Sequence, residues 1–331
     1  MELNKLKEVP KNYIKEILRS IFKLEKIKKI KFSGVHFDAA KRELEGKIEN
    51  YKKIESQASK VWKIIELSRN EERPQTSDYI MGIFEDFIEL SGDRKGAEDK
   101  SVISGLGRIG EQTVAVIGHN KGKDIKQKVE FNFGMSIPQG YRKANRIMKL
   151  ADRFGFPVVT FIDTPGAYPG IEAEDAGQAG AISESILTMF SLKVPVIVIL
   201  IGEGGSGGAL ALAIGNYIMM LENSTYSVIT PEGCAAILWK DASAAKLAAL
   251  ALKMTSRDLL KLGLVDKIIY EPHGGAQNDP NRMVKIVRSY LINALKKCSA
   301  GKDRDFKQER AKKYESMGLF TCLQKEYPQK E

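Results

Sequence analysis

The run IGEGGSGGALALAIGN, Ile201 to Asn216, packs five glycines into positions 202 to 208, directly after the apolar run PVIVILI (Pro195 to Ile201). An apolar strand that ends in glycines and turns at once into a helical pattern leaves few folds open. Glycines tolerate the tight turn, and the backbone N–H groups that open the helix converge on one point with the helix dipole behind them. The same theme occurs one unit earlier. PVVTFID (Pro157 to Asp163) reads as a buried strand, TPGAYPG (Thr164 to Gly170) as a loop and EAEDAGQAGAISESILTMFSL (Glu172 to Leu192) as a helix. Two strand–loop–helix units in tandem predict an α/β fold with parallel strands and functional loops at their carboxyl ends.

Around these units the 331 residues leave room for one large domain with helical extensions, or for two ordinary domains. In the first seventy residues Leu44, Ile48, Tyr51, Ile54, Ala58, Val61 and Ile65 recur at helical spacing, and Pro74 is a stop signal. That stripe packs either on its own domain or against another subunit. SVISGLGRI and TVAVIGH, separated by GEQ, predict a hairpin, and the next helix runs from Pro138 to about Gly155. YIMML, YSVIT and LVDKIIY are short strands, helices fill Cys234 to Leu262, and the chain after Pro280 reads as a basic helical tail.

The net charge of +10 sits largely in KLEKIKKIKF (Lys23 to Phe32) and KKCSAGKDRDFKQERAKKY (Lys296 to Tyr314). Such runs are usually solvated helix faces; an acidic partner subunit suits them better than nucleic acid, for which no aromatic-interleaved basic patch exists. Cys234, Cys298 and Cys322 form no CxxC pair, which argues against a zinc ribbon and suits a reducing, cytoplasmic setting. Met1 to Pro10 is charged and polar, unlike a signal peptide, and Glu203 with its glycines interrupts the longest apolar region, so no membrane span is expected.

The glycine run satisfies two familiar motifs. Gly202-x-Gly204-x-x-Gly207 matches the dinucleotide fingerprint, with Glu222 near the position of the ribose-binding acid. Its helix, however, has room only from about Gly207 to Ile214 before Gly215 and Asn216, short for a nucleotide-binding crossover. Gly204-x-Ser206-x-Gly208 matches a hydrolase elbow, for which Asp266 and His273 would be the partners in chain order, yet His273 lies in the polar loop EPHGGAQNDP. DTPG (Asp163 to Gly166) mimics a GTPase switch but no phosphate loop precedes it. What survives is physical. Converging amides with no Lys or Arg in the loop suit a transient oxyanion better than a phosphate.

Several uninterrupted blocks also carry a family resemblance. FIDTPGAYPG, GQAGAISESI, IGEGGSGGALALAIGN and STYSVITPEGCAAILWK resemble the α subunit of the bacterial acetyl-CoA carboxylase carboxyltransferase. YIMGIFEDFIELSGDR, VIGHNKGKD, NFGMSIPQGYRKANRIMKLADRF and EPHGGAQNDP extend the likeness over roughly residues 73–281, whereas the basic start and the last fifty residues match little. The resemblance implies a crotonase-type spiral of ββα units spanning 74–281, a helical extension over 1–73 that contacts a subunit, and a basic helical tail over 282–331. It implies carboxyl transfer from carboxybiotin on a separate carrier protein to acetyl-CoA, giving malonyl-CoA, the first committed intermediate of fatty-acid synthesis in an overall reaction that consumes ATP. No cofactor would be covalently bound in this chain. Zinc would sit on a β subunit that completes an α2β2 tetramer, and the biotin carboxyl carrier protein and biotin carboxylase would be further partners.

Carried onto this sequence, the resemblance implies that the amides of Gly207 and Gly208 cradle biotin's carbonyl oxygen, while Gly204 and Gly205 shape the turn. Gly166, Ala167 and Tyr168 would line the pocket from the preceding unit, or form only a Pro/Gly turn. Asp163 would cap a loop or helix. His119, Lys121 and Lys123 are candidates for contacts to the carrier or to a coenzyme A phosphate, with a buried structural imidazole the alternative for His119. Arg142 and Lys143 read as a solvated face. A sister carboxyltransferase for another acyl-CoA, or a decarboxylase subunit, uses the same fold, and a non-catalytic nucleic-acid-binding protein is the alternative of a different class.

Overall fold

A computed structural model describes residues 35–299 and 304–318, together with Arg19 and Lys23. Most of the basic run Lys23 to Phe32, and Cys322, lie outside the described residues. Helix α1 (Val35–Ser68) leads to α2 (Thr76–Ile83), β1 (Glu85–Glu89) and the hairpin β2 (Val102–Ile109) and β3 (Gln112–His119). Then come α3 (Ile125–Glu130), α4 (Pro138–Phe154), β4 (Val158–Thr164), α5 (Ile171–Asp175), α6 (Gln178–Ser191), β5 (Val196–Gly205) and α7 (Ser206–Leu210). The chain closes with β6 (Tyr217–Leu221), β7 (Thr225–Ser227), α8 (Pro231–Trp239), α9 (Ala245–Leu252), α10 (Ser256–Lys261), β8 (Lys267–Ile269), α11 (Pro280–Ser299) and α12 (Phe306–Glu315).

The strands form one sheet in the order β1-β2-β3-β4-β5-β6-β8, with β7 continuing beside the end of β5. β1, β2 and β3 pair antiparallel, and every later pairing is parallel, as the tandem units predict. The apolar runs are continuous because both faces of the sheet are covered. In β5, Val196, Val198 and Leu200 point into a core shared with Ala144, Ile147 and Met148 of α4 and Met189 of α6. The alternate residues Ile197, Ile199 and Ile201 meet Tyr79, Ile80 and Ile83 of α2 and Met283, Val287 and Leu291 of α11. The result is a sheet between two helical layers.

Several expectations meet the structure closely: Pro138 opens α4, Ile109 and Gln112 flank a two-residue hairpin turn, and YIMML is β6. Others are corrected. The helix expected over Glu172 to Leu192 breaks into α5 and α6 because Gly177 adopts φ +86°, a left-handed conformation that ends a helix. α2 and β1, which lacked a clear periodic signal, cover an edge and a face of the sheet. Only the carboxyl half of the α1 stripe is anchored on its own domain, where Ile65 is buried against Ala249 and Met254. Leu44, Ile48, Tyr51 and Ile54 stay half-buried.

The described part of the segment expected to be a basic tail packs on the fold. α11 presents its apolar face to the sheet, and Arg310 of α12 is fully buried, donating to the carbonyls of Leu192 and Val194. Burial pulls the Arg310 guanidinium down to about 10, with Tyr314 and Asp152 opposing it only in part. Tyr314 Oη donates to Ala213 O and accepts from Gly215 N–H, fastening the segment after α7. Leu291→Ala should therefore behave as a core truncation and cost about 2–5 kcal/mol in denaturant unfolding. A loss near zero would return α11 to the role of a tail.

Candidate active site

β4 and β5 run parallel in register from Val158↔Val196 to Ile162↔Leu200, then shift so that Thr164 pairs with Gly204. Their loops consequently leave the sheet side by side. β5 continues to Gly205, and Ser206 makes the turn at φ +44°, unusual for a residue with a Cβ. The helix that follows has five residues. A Cβ on Gly205 would fall inside contact distance of the Pro165 carbonyl, and one on Gly208 would overlap the Gly166–Ala167 peptide. The two loops thus meet backbone against backbone, a contact that only glycine permits at these two positions. A Cβ on Gly207, by contrast, would lie 3.7 Å from Ile182 Cγ2, an ordinary contact.

The N–H groups of Gly207 and Gly208 belong to the first turn of α7, where no intrahelical acceptor exists. No Lys or Arg side chain occurs between Gly202 and Asn216, so the donors are neutral dipoles. Ala167 stands opposite them and packs its methyl group with Tyr141, Ala181 and Ile182. Gly166 is half-buried, with Ser206 Oγ 3.8 Å from where its Cβ would be. Tyr168 follows, its N–H donating to Ser136 O at 3.1 Å and its hydroxyl beside Glu172. Gly204 is buried next to Tyr226 of β7.

Beneath the loops lies a row of alternating charges. Lys121 Nζ is 2.6 Å from Asp163 Oδ1 and 3.1 Å from Glu203 Oε2. Arg69 takes the other Glu203 oxygen at 2.7 Å and reaches Glu232 at 2.7 Å. The Glu203 N–H also donates to Asp163 Oδ1 at 2.9 Å. Burial alone would push the Glu203 carboxyl up, but Lys121 and Arg69 hold it below its ordinary value. Burial would likewise strip Lys121 of its proton, and Asp163 and Glu203 keep it above its ordinary range instead. Nearby, Arg73 donates to both oxygens of the Glu271 carboxylate, whose side chain is buried, and its Nη2 also donates to Ile201 O at 2.9 Å.

The structure brings Gly166, Ala167, Gly204, Gly205, Gly207 and Gly208 together, and places the other candidates differently. His119 is 1% exposed at the end of β3. Its ring faces the carbonyls of Gly208 and Phe161 outside hydrogen-bond geometry, and neither nitrogen has a partner. Lys121 lies inside the charge row, so its ammonium is committed to carboxylates. Lys123 is exposed and pairs with Asp78 at 2.5 Å. Asp163 ties the end of β4 to β5, accepting from the Glu203 N–H beside Gly202. Lys143, expected on a solvated face, is 1% exposed and donates to Asp99 O, Val102 O and Glu98, because α4 packs that side on the β2 strand. Arg142 is half-buried against the Ala176 carbonyl. The sequence reading missed Arg69, Glu203 and Glu232. A lone acid among the glycines was the signal for Glu203; the other two carried none.

Among the described residues no side chain hydrogen-bonds Ser206 Oγ, and no group of three or more His, Cys, Asp or Glu could hold a metal ion. No helix among them is long and apolar enough to cross a membrane. The arrangement offers two neutral amides at a shaped turn, held over a charged floor.

The chain aligns with transcarboxylase 12S, solved with methylmalonyl-coenzyme A and methylmalonic acid bound, at a TM-score of 0.58 and 16% identity over 70% of this chain and 43% of that one. The β subunit of P. aeruginosa geranyl-CoA carboxylase gives 0.54 and 18%, over 70% and 43%. The fold is that of the crotonase-type carboxyltransferases. A family model described as acetyl co-enzyme A carboxylase carboxyltransferase-like matches residues 10–318. The acetyl-coenzyme A carboxylase carboxyl transferase subunit alpha of Thermus thermophilus is 45% identical over 314 residues, 95% of this chain and 99% of the relative. That of Xanthomonas axonopodis pv. citri is 53% identical over 259 residues, 78% and 81%. The chain belongs to this family of carboxyltransferase alpha subunits, and is a transferase.

The buried imidazole makes its own prediction. Burial, with Lys121 adding to it, lowers His119 from 6.5 to about 4. The unfolded chain therefore takes this proton first, so the contribution is whole above pH 6.5 and is lost as pH falls toward 4, at about 1.4 kcal/mol per unit within that window. Unfolding followed against pH should show the wild type weakening between pH 6.5 and 5. A His119→Asn variant should be flatter there; equal slopes would place the imidazole in solvent.

Proposed function

We propose that this chain forms the biotin-side half of an acetyl-CoA carboxyltransferase. It moves a carboxyl group from carboxybiotin, borne on a biotin carboxyl carrier protein, to acetyl-CoA, and malonyl-CoA for fatty-acid synthesis results. The observation that carries the reading is the pair of free amides at Gly207 and Gly208, set in a neutral turn. When the carboxybiotin N–C bond breaks, carbon dioxide leaves and negative charge spreads over the ureido nitrogen and oxygen. The two amides donate to that oxygen, and one such donor is worth about 3 kcal/mol of transition-state stabilisation. The methyl group of the thioester gives its proton to the ureido anion, and the enolate so formed attacks the carbon dioxide. Biotin regains its N–H, and the negative charge that entered on carboxybiotin leaves on the new carboxylate of malonyl-CoA.

Gly166, Ala167 and Tyr168 line the pocket from the preceding loop, while Gly204 and Gly205 set the turn. His119 is a buried structural imidazole behind the loop, and Lys123 reaches a carrier or coenzyme A only by exchanging its surface pair with Asp78. The second thioester-binding half comes from a β subunit of the same fold bearing zinc, in an α2β2 assembly supplied by biotin carboxylase and its carrier in the cytoplasm. The half-buried stripe of α1 is suited to such a contact. The family membership supports the reading, and the absence of any cationic group in the loop argues for an oxyanion in place of a phosphate.

The test is malonyl-CoA formation from carboxylated biotin by the assembled α and β subunits. Gly208→Ala forces the two loops apart and should lower turnover by about 10²-fold or more in a complex that still assembles. Gly207→Ala places its methyl beside Ile182, leaves both amides in place and should stay within a few-fold of wild type. Full activity in assembled Gly208→Ala would put the chemistry elsewhere. Faster transfer to propionyl- or glutaconyl-CoA than to acetyl-CoA would change the acceptor.

A further inference from the structure

The charge row beneath the loops has a feature that neither packing nor the cradle explains. It joins five separate chain segments: Arg69 after α1, Lys121 after β3, Asp163 in β4, Glu203 in β5 and Glu232 in α8. Such pairs contribute little net stability: desolvation offsets attraction for those on Glu203, and solvent screens the more exposed Arg69–Glu232 pair. What they do fix is geometry. Each Glu203 oxygen has its own cation, and the residue's N–H is held by Asp163, so side chain and backbone of Glu203 are pinned at both ends. Glu203 lies four residues before Gly207.

Arg69 is the member whose own position is most firmly set from outside the site. Its N–H donates to Ile65 O at 3.1 Å, and Ile65 is buried against α9. Ser68, just before it, is buried beside Thr225 of β7, which itself pairs with Glu203. The guanidinium then forks, with Nε on Glu203 and Nη1 on Glu232. A cavity of about 190 Å³ reaches the row and is lined by Arg69, Lys121, Asp163, Pro165 and Glu203, so the charges sit at a site and not inside a dry core.

We propose that Arg69 is a positioning residue for carboxyl transfer, locking Glu203, and with it the glycine turn, to the carboxyl end of α1. The proposal rests on the reading of Gly207 and Gly208 as the cradle. A preorganised cradle acts on charge that develops only as the N–C bond breaks, so a loosened turn lowers kcat and leaves substrate binding nearly unchanged. A displacement of about 1 Å is enough to cost about 10²-fold.

The experiment uses the assembled α and β subunits, with Arg69→Met, Arg69→Lys and, as a control, Arg257→Met, whose exposed pair with Glu222 shares no member with the charge row. Assembly, thermal unfolding, kcat and the KM values for carboxylated biotin and acetyl-CoA are measured for each. Arg69→Met should lower kcat at least about tenfold with both KM values within about twofold, Arg69→Lys should recover part of that loss, and Arg257→Met should match wild type. Unchanged kcat in assembled Arg69→Met, or a loss appearing only as raised KM, overturns the proposal. If Arg69→Met does not assemble, Arg69→Lys decides: a kcat at least about threefold low at constant KM supports the link, and wild-type kcat overturns it. Gly208→Ala in parallel separates the two ideas. Inactive Gly208→Ala with fully active Arg69→Met removes only the positioning role, whereas fully active Gly208→Ala removes the cradle itself.

Discussion

The parallel pairing of β4 with β5 governs everything built above it. Val158 lies opposite Val196 and Ile162 opposite Leu200, and after the shift that brings Thr164 opposite Gly204 the two strands end together, so their loops share one narrow space. Side chains cannot fit there, so the contact is made by peptide planes: Gly205 against Pro165, Gly208 against Gly166 and Ala167. Such a contact has almost no freedom to slide. It converts strand register, which is set by apolar burial on two faces, into the position of two amide hydrogens.

The helices serve the same end from outside. α2 and α11 cover one face and α4 and α6 the other, so β5 has no exposed flank along which to shift. α12 then seals the exit from the turn, with Arg310 on Leu192 and Val194 and Tyr314 on Ala213 and Gly215. Among the described residues Arg310 forms no ion pair, yet burial pulls it down only to about 10, with Tyr314 and Asp152 acting in the opposite direction, so it keeps its charge at neutral pH while donating to two carbonyls. A segment that looks in composition like a solvated tail is therefore part of the frame that holds the site.

The contrast explains what could be read in the sequence and what could not. PVVTFID and PVIVILI declare buried parallel strands, because each side chain on both faces must be apolar, and the glycine run declares a close approach because no other residue has so little side chain. Those signals are local. Lys143 and Arg310 look like surface residues until the surrounding carbonyls are in place, and nothing within a few positions of either announces those partners. Arg69, Lys121, Asp163, Glu203 and Glu232 come from five segments, so their alternation of charge exists only in the folded chain. α2 and β1 were invisible for another reason: short elements at an edge carry too few turns or alternations to show a period.

The neutral turn over a charged floor has a consequence for how such a site divides its work. A lysine aimed directly at the cradle would attract the carboxylate of the incoming carboxybiotin as strongly as the anion that forms later, and binding both states equally does not speed the reaction. Here Lys121 stands within the site but is engaged on both sides, by Asp163 and Glu203, and is held in its charged form by them. Its charge is spent on the protein. In the proposed reaction the amides of Gly207 and Gly208 would then be weak donors to a neutral ground state and stronger donors to the developing oxyanion, the differential that accelerates a bond-breaking step. On that reading, the ion pairs hold two cations beside the turn with their charge already engaged by carboxylates of the protein.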